Sequence, residues 1–240
     1  MADFKRLIGH ILYFEGAHGA DPVDGCAVDP TNVKGSVINP ETNKPYDSKH
    51  PNNFIHTNKG VCFMTYKHYK RIKNQPVNVS EFLLMKQNLW EDIYRVLFWN
   101  VIQGDKLKSQ GIAEFFLDSL WGSGASTTRG AGVLFKQVQT YLNDKYKADL
   151  QVTGKIDNTT VNALNRLINT NTKYLDLINY MYAKRLQFLQ QRNTFWKYGK
   201  GWTRRLNTLT ERIKKYSVGG AGLNLGLFIL PLFLLFIVKK

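Results

Sequence analysis

Cysteine is scarce in this chain. Its 240 residues include two cysteines, Cys26 and Cys62, and this pair does not have the spacing of a metal site. A disulfide between them would join the two ends of the stretch that they flank, whereas both would be free thiols in a reducing cytosol. The sequence leaves these two states open and gives no sign of a cysteine-based metal centre.

Acidic residues are also few. The chain has 18 aspartate and glutamate residues against 33 lysine and arginine residues, which gives a formal net charge of +15. A field of this sign attracts anionic surfaces such as lipid head groups, or the acidic polymers and peptide carboxylates of a bacterial wall. The basic residues are scattered, and no nucleic-acid-binding motif accompanies them. We therefore expect no nucleic-acid partner.

Long apolar runs are absent before the C-terminal tail. Residues 1–6, MADFKR, contain no uncharged apolar run, so no signal peptide is expected. The range 218–238 carries no charged residue, and as a helix it would match a hydrocarbon core about 30 Å thick. We expect a transmembrane anchor there, with a buried core helix as the alternative. Positive residues lie on both sides of the range, so its orientation is not predicted.

Helical periodicity dominates the rest of the chain and predicts a mainly α fold. A first helix is expected over 3–15, capped by Asp3 or Ala2, and a long loop with small strand-like pieces over 16–60. Such a loop is usually functional or disordered, and here we interpret it as a lid over a substrate cleft. Further helices are expected over 62–74, 80–98 with Ser80 as N-cap, 108–121, 127–143, 159–169 and 172–193.

A single carboxylate, Glu15, lies at the end of the first helix. It is four residues after Ile11 and three after Leu12, which places it on the apolar stripe of the helix. A carboxyl group there would be poorly solvated, and desolvation raises the pKa of a carboxyl group. A raised pKa suits the general acid that glycoside hydrolysis needs. The alternative is a helix-end glutamate that points into solvent.

The segment that begins at Glu15 resembles a known signature. Residues 15–24 read EGAHGADPVD, which is similar to the E-G-G-Y-x-x-D-P-x-D signature of glycoside hydrolase family 108, lysozyme-like muramidases of phages and bacteria. Residues 57–61, TNKGV, resemble the G-G-x-T-N-x-G-I that follows in this family. Later blocks resemble the peptidoglycan-binding segment of the same proteins; they are FFLD at 115–118 with Gly122, QVQ at 137–139 and GWTRR at 201–205.

Two departures from the family pattern stand out. Ala17 and His18 replace the second glycine and the tyrosine of the signature. The stretch between Asp24 and Thr57 is also much longer than the few residues found in the family. Both departures bear on how the substrate fits. They leave the candidate acid in place, because Glu15 itself is present.

The resemblance implies three catalytic residues. Glu15 would be the acid, Asp24 would be the second acid at the spacing of the family, and Thr57 would orient a water molecule. A plain turn role stays open for Asp24.

The resemblance also implies contacts to the substrate. His18, Asn58 and Trp202 are the candidates, with exposed surface as the alternative for His18 and core packing as the alternative for Trp202. No metal and no organic cofactor is implied.

The fold implied by the resemblance is mainly α and lysozyme-like. A catalytic segment would occupy 1–107, and a peptidoglycan-binding segment over 108–210 would pack on it as one globular unit. The transmembrane anchor would follow over 218–238.

The expected activity is cleavage of the β-1,4 bond between N-acetylmuramic acid and N-acetylglucosamine in bacterial peptidoglycan. A single-pass anchor would place the enzyme in the host inner membrane or in the membrane of a virion, with virion proteins as possible partners, for entry or lysis. The rival hypothesis is a non-catalytic wall-binding or structural membrane protein that kept the fold.

Overall fold

The structure is a computed structural model of the chain, and it describes residues 1–15, 18–19, 38–39, 44–45, 57–124 and 126–216. The described part is mainly helical, which confirms the predicted class. Its helices are α1 (Ile8–Phe14), α2 (Phe63–Ile72), α3 (Val79–Leu83), α4 (Gln87–Tyr94), α5 (Gln110–Trp121), α6 (Ala131–Tyr146), α7 (Asn158–Leu167), α8 (Asn171–Gln190) and α9 (Phe195–Lys214). A 3-10 turn (Phe4–Leu7) precedes α1, a π turn (Arg95–Trp99) follows α4, and a second 3-10 turn (Gly104–Lys106) precedes α5.

The strands are short and form two small antiparallel sheets. They are β1 (His18–Gly19), β2 (Ile38–Asn39), β3 (Lys44–Pro45), β4 (Thr57–Asn58) and β5 (Val61–Cys62). One sheet has the order β1-β4-β5, and the other pairs β2 with β3. The first sheet matters for function because it follows the end of α1 and holds the predicted site residues 57 and 58.

The single helix predicted over 80–98 is wrong. Asn78, not Ser80, is the N-cap of α3, and its side chain accepts the backbone N–H of Glu81. The helix ends after Leu83, and a new helix starts at Gln87. The reason is tertiary, because the side chain of Asn58 donates to the carbonyl of Leu83 at the end of α3. A hydrogen bond from a distant residue therefore replaces a bond that would continue the helix.

Helix α9 is hidden from sequence patterns by its two glycines, at 199 and 201. Gly199 is buried, and a Cβ there would lie 2.8 Å from Cε2 of Phe195. The glycine therefore lets the Phe195 ring pack on its own helix. Trp202, Leu206 and Leu209 recur at helical spacing and mark the inner face of α9.

Helix α5 is the centre of the fold. All of its residues from 110 to 120 are buried, and it packs against α6, α9 and the π turn. Helix α8 packs in turn against α6 and α9. Because α5 is fixed on several sides, the side chains near its C-terminal end have defined positions.

Two expectations about the remainder of the chain have different outcomes. Cys62 is disulfide-bonded, and Cys26 lies outside the described residues. None of the described helices is long and apolar enough to cross a membrane. The range 218–238, where a span is expected, lies outside the described residues.

Candidate active site

Glu15 ends α1 and turns its carboxylate into the protein. The side chain is 18% exposed, and its backbone is already extended, with φ −99° and ψ 133°. Its Oε1 accepts hydrogen bonds from Nε1 of Trp121 at 2.7 Å and from Nη1 of Arg205 at 2.5 Å. Glu15 is therefore not a solvent-facing helix end, and its orientation is set by two donors.

Arg205 of α9 links Glu15 to a second acid. Its Nε donates to Oδ1 of Asp118 at 2.7 Å, and both side chains are largely buried. Burial by itself would lower the pKa of Arg205, but the charges of Asp118 and Glu15 outweigh it and raise that pKa above its ordinary value. The guanidinium therefore stays charged and holds two carboxylates from two different helices.

His10 completes the buried group beneath Glu15. Its Nε2 lies 3.9 Å from Oδ1 of Asp118 and has no hydrogen-bond partner among the described residues. Burial lowers the pKa of His10 to about 4, with Asp118 opposing the shift and Arg205 and Arg212 adding to it. The imidazole is therefore neutral at neutral pH.

The hairpin β4–β5 brings its tip against Glu15. Asn58 pairs with Val61, so Lys59 and Gly60 form a two-residue turn, and both have positive φ, 49° and 77°. This is the backbone pattern of a type I′ turn. A Cβ at Gly60 would lie 2.6 Å from Cδ of Glu15. The glycine of the T-N-x-G pattern is therefore needed for its left-handed backbone and for its close approach to the carboxylate.

Besides the bond from Asn58 to the carbonyl of Leu83, three further hydrogen bonds fix this hairpin on the helical core. Asn58 is 4% exposed, and its Nδ2 donates to the carbonyl of Phe82 at 2.7 Å. Lys59 Nζ donates to the carbonyl of Met85, and Trp90 Nε1 donates to the carbonyl of Lys59, each at 3.0 Å. The buried amide of Asn58 therefore anchors the hairpin, and the substrate contact expected from Asn58 stays a prediction.

A cleft of about 810 Å³ opens beside this arrangement. Gly60 and Trp121, which both touch Glu15, are among its lining residues. The π turn contributes Val96, Leu97 and Phe98, and α9 contributes the aromatic rings of Tyr198 and Trp202. The cleft is therefore apolar and aromatic over much of its surface. Glu15 is not among its described lining residues, but Gly60 and Trp121, which line it, contact the Glu15 carboxylate.

The other predicted site residues have different placements. Thr57 is half-buried on β4, three positions before Gly60, and it pairs with Cys62 of β5. His18 lies on β1, and its backbone pairs with that of Asn58. Trp202 lines the cleft, with its ring centroid 5.5 Å from that of Tyr198. Asp24 lies outside the described residues.

Sequence patterns did not single out the two donors to Glu15. Trp121 ends the predicted helix over 108–121, and Arg205 lies within the block GWTRR. The missing signal was the helical spacing of α9, which places Arg205 beside the inward-facing Leu206. Within the described part of the chain, no group of three histidine, cysteine or acidic residues could hold a metal ion.

Comparison with known proteins gives one family and one solved structure. Residues 8–124 match the sequence model of the family described as Glycosyl hydrolase 108. The structure described as Brucella abortus SagA is similar to this chain with a TM-score of 0.55 and 23% sequence identity, covering 88% of this chain and 92% of that one. None of the curated proteins compared with the chain matches it. The structural likeness shows that the two chains share a fold.

Proposed function

Residues 8–124 belong to the glycosyl hydrolase 108 family, and from this premise we propose that the protein is a muramidase. The bond cleaved is the β-1,4 linkage between N-acetylmuramic acid and N-acetylglucosamine in bacterial peptidoglycan. The observation that carries the proposal is the Glu15 carboxylate, which is held by Arg205 and by Trp121, a residue that lines the aromatic cleft.

Glu15 acts as the general acid in this proposal. Its Oε1 receives both hydrogen bonds from Trp121 and Arg205, so Oε2, on the side of Gly60, is the oxygen that carries the proton. Protonation of the glycosidic oxygen lets the sugar leave as a neutral alcohol. The carboxylate that remains is stabilised by the two donors already in place, which need no rearrangement during the reaction.

A second group must act on the opposite face of the sugar. An inverting enzyme activates a water there, whereas a retaining enzyme uses a nucleophilic carboxylate. Thr57 is proposed to orient the water, because the hairpin that carries it packs against Glu15 through Gly60. Asp24 is proposed as the second acid from its spacing to Glu15 in the sequence.

The aromatic rings of the cleft suit a sugar chain. Apolar faces of pyranose rings pack on aromatic rings, and Trp121, Phe98 and Trp202 all line the cleft. Trp121 also packs against Phe98, with ring centroids 4.9 Å apart and the planes tilted by 53°. Trp202 is therefore proposed as a sugar contact, with Trp121 linking the cleft wall to Glu15. His18, which replaces the tyrosine of the signature, is proposed as a further contact.

Membrane attachment is proposed from the sequence of the tail. The uncharged range 218–238 is long enough to span a bilayer, and it follows directly on α9, which carries Arg205. We place the enzyme at the host inner membrane or in a virion membrane, where it would open the wall during entry or lysis. Virion proteins would be its partners in the second location.

Digestion of purified sacculi by the full-length protein tests the proposed reaction. A muramidase leaves new reducing ends at N-acetylmuramic acid, which borohydride reduction and mass spectrometry identify. New ends at N-acetylglucosamine would contradict the proposed bond. Wall binding without any new ends would support the non-catalytic rival.

A further inference from the structure

The cleft carries positive charge that the proposed reaction does not use. Arg129 and Arg192 both line it, and both are exposed. No aspartate or glutamate is among the described residues that line the cleft. Over the same described residues, neither guanidinium forms an ion pair. Two arginine side chains are therefore available to an anionic group of a bound molecule.

Each arginine projects from a fixed piece of backbone. The N–H of Arg129 donates to Oγ of Ser126 at 3.3 Å in the turn before α6. The N–H of Arg192 donates to the carbonyl of Leu189 at the end of α8, at 3.0 Å. The guanidinium of Arg192 lies 5.8 Å from the ring centroid of Phe188, which also lines the cleft. The backbone at each attachment point is therefore held by a hydrogen bond.

A third arginine adds to the positive field from behind the cleft wall. Arg185 is 4% exposed, and its Nη1 donates to Oγ of Ser123, a lining residue, at 3.0 Å. Burial lowers the pKa of Arg185 to about 10; Asp118 opposes this shift, and the charge of Arg192 is among those that add to it. An anion bound in the cleft would relieve part of this repulsion.

We propose that Arg129 and Arg192 bind the stem-peptide carboxylates of peptidoglycan, and this inference depends on the proposed function. The guanidinium group pairs with a carboxylate through two parallel hydrogen bonds, which makes it the side chain suited to this contact. The β-1,4-linked sugar backbone is neutral, so the stem-peptide carboxylates supply the negative charge that an uncharged polymer such as chitin lacks. The two arginines thus determine the choice of substrate, and Glu15 performs the chemistry.

The test compares two forms of the protein on two forms of the wall. Purified sacculi are used untreated or with their carboxylates converted to methylamides by carbodiimide coupling. The full-length double variant Arg129→Gln, Arg192→Gln is expected to lose about tenfold or more in kcat/KM on untreated sacculi. On amidated sacculi, the wild type should fall to the level of the variant, and the variant should change no further.

A matched control removes the same charge elsewhere. Lys108 and Arg166 are exposed and do not line the cleft, so the double variant Lys108→Gln, Arg166→Gln should keep the wild-type rate. An equal loss in this control, or a wild type that digests both forms of sacculi equally, would overturn the inference.

Binding separates this inference from the proposed reaction. The Glu15→Gln protein, with and without the two cleft substitutions, is pelleted with both forms of sacculi. Weaker binding that depends on Arg129 and Arg192 and on free carboxylates supports the inference, and equal binding overturns it. If the wild type produced no new reducing ends, this would contradict the proposed reaction and would leave the binding result for the two arginines standing.

Discussion

Nη1 of Arg205 lies 2.5 Å from Oε1 of Glu15, although 190 positions separate the two residues in the chain. One residue ends the first α-helix, and the other lies in the middle of the last described helix. The same guanidinium binds Asp118 of the central helix. The Glu15 carboxylate is therefore oriented by contacts to two other helices. A substitution in α9 that disturbs Arg205 should change the position of this carboxylate.

Arg205→Lys should lower kcat about 100-fold with little change in KM, because a shift of about 1 Å in a catalytic group can have this effect. An ammonium cannot reproduce the Nε and Nη1 contacts to Asp118 and Glu15 together. Steady-state kinetics on sacculi measures the change, and thermal unfolding reports any loss of stability. Arg204→Gln is the control, since Arg204 is the exposed neighbour. A lysine variant with wild-type kcat would show that the two contacts of Arg205 are not needed to position Glu15.

Gly60→Ala should impair both folding stability and activity. Alanine in the left-handed region costs about 1–2 kcal/mol, and its Cβ would lie 2.6 Å from Cδ of Glu15. Gly201→Ala is the matched control, because a Cβ at this position of α9 meets nothing within 4 Å. Urea unfolding and sacculus digestion of both variants give the comparison. Equal behaviour of the two variants would mean that the hairpin tip can move away from Glu15 without consequence.

Sequence patterns predicted the mainly helical class and the position of Glu15 because both depend on local apolar spacing. They could not predict the end of α3, where Asn58 binds the carbonyls of Phe82 and Leu83, since that contact joins separate parts of the chain. The glycines at 199 and 201 hid the helical pattern of α9, so the inward-facing position of Arg205 was not predicted. The inward-facing position of Glu15 was visible locally, whereas the orientation of its carboxylate depends on contacts that only the fold brings together.

His10 should make the protein less stable at mildly acidic pH. The unfolded chain binds the imidazole proton near its ordinary pKa of 6.5, whereas burial lowers the pKa of folded His10 to about 4. The stability that the protein gains from keeping His10 neutral is complete above pH 6.5. It is lost as the pH falls from 6.5 towards 4, which lowers the free energy of unfolding by up to about 3 kcal/mol.

His10→Phe removes this titration and keeps an aromatic ring against Phe14, which lies 5.1 Å from His10 between centroids. Urea unfolding between pH 7 and pH 4 should give a shallower loss of unfolding free energy for the variant than for the wild type. Identical pH slopes would assign the acid sensitivity to other groups.

The tail should hold the full-length protein in membranes during alkaline carbonate extraction. The physical reason is the uncharged range 218–238, whose exposure to water would cause aggregation. A protein that ends at Tyr216, just after α9, should stay in the supernatant and keep its activity on isolated sacculi. Release of the full-length protein by carbonate, together with loss of activity on truncation, would show that the tail is part of the folded core.

The most direct test of the central claim is the Glu15→Gln variant on purified sacculi. Glutamine keeps an acceptor for Trp121 and Arg205 but has no acidic proton to donate. Asp118 still pairs with Arg205, so the variant should fold cooperatively, with a lower thermal unfolding temperature because one charge of the buried ion pair is lost. The account predicts that this variant releases no detectable new N-acetylmuramic acid reducing ends under conditions in which the wild type releases them. Release at a rate near that of the wild type would contradict the assignment of Glu15 as the catalytic acid.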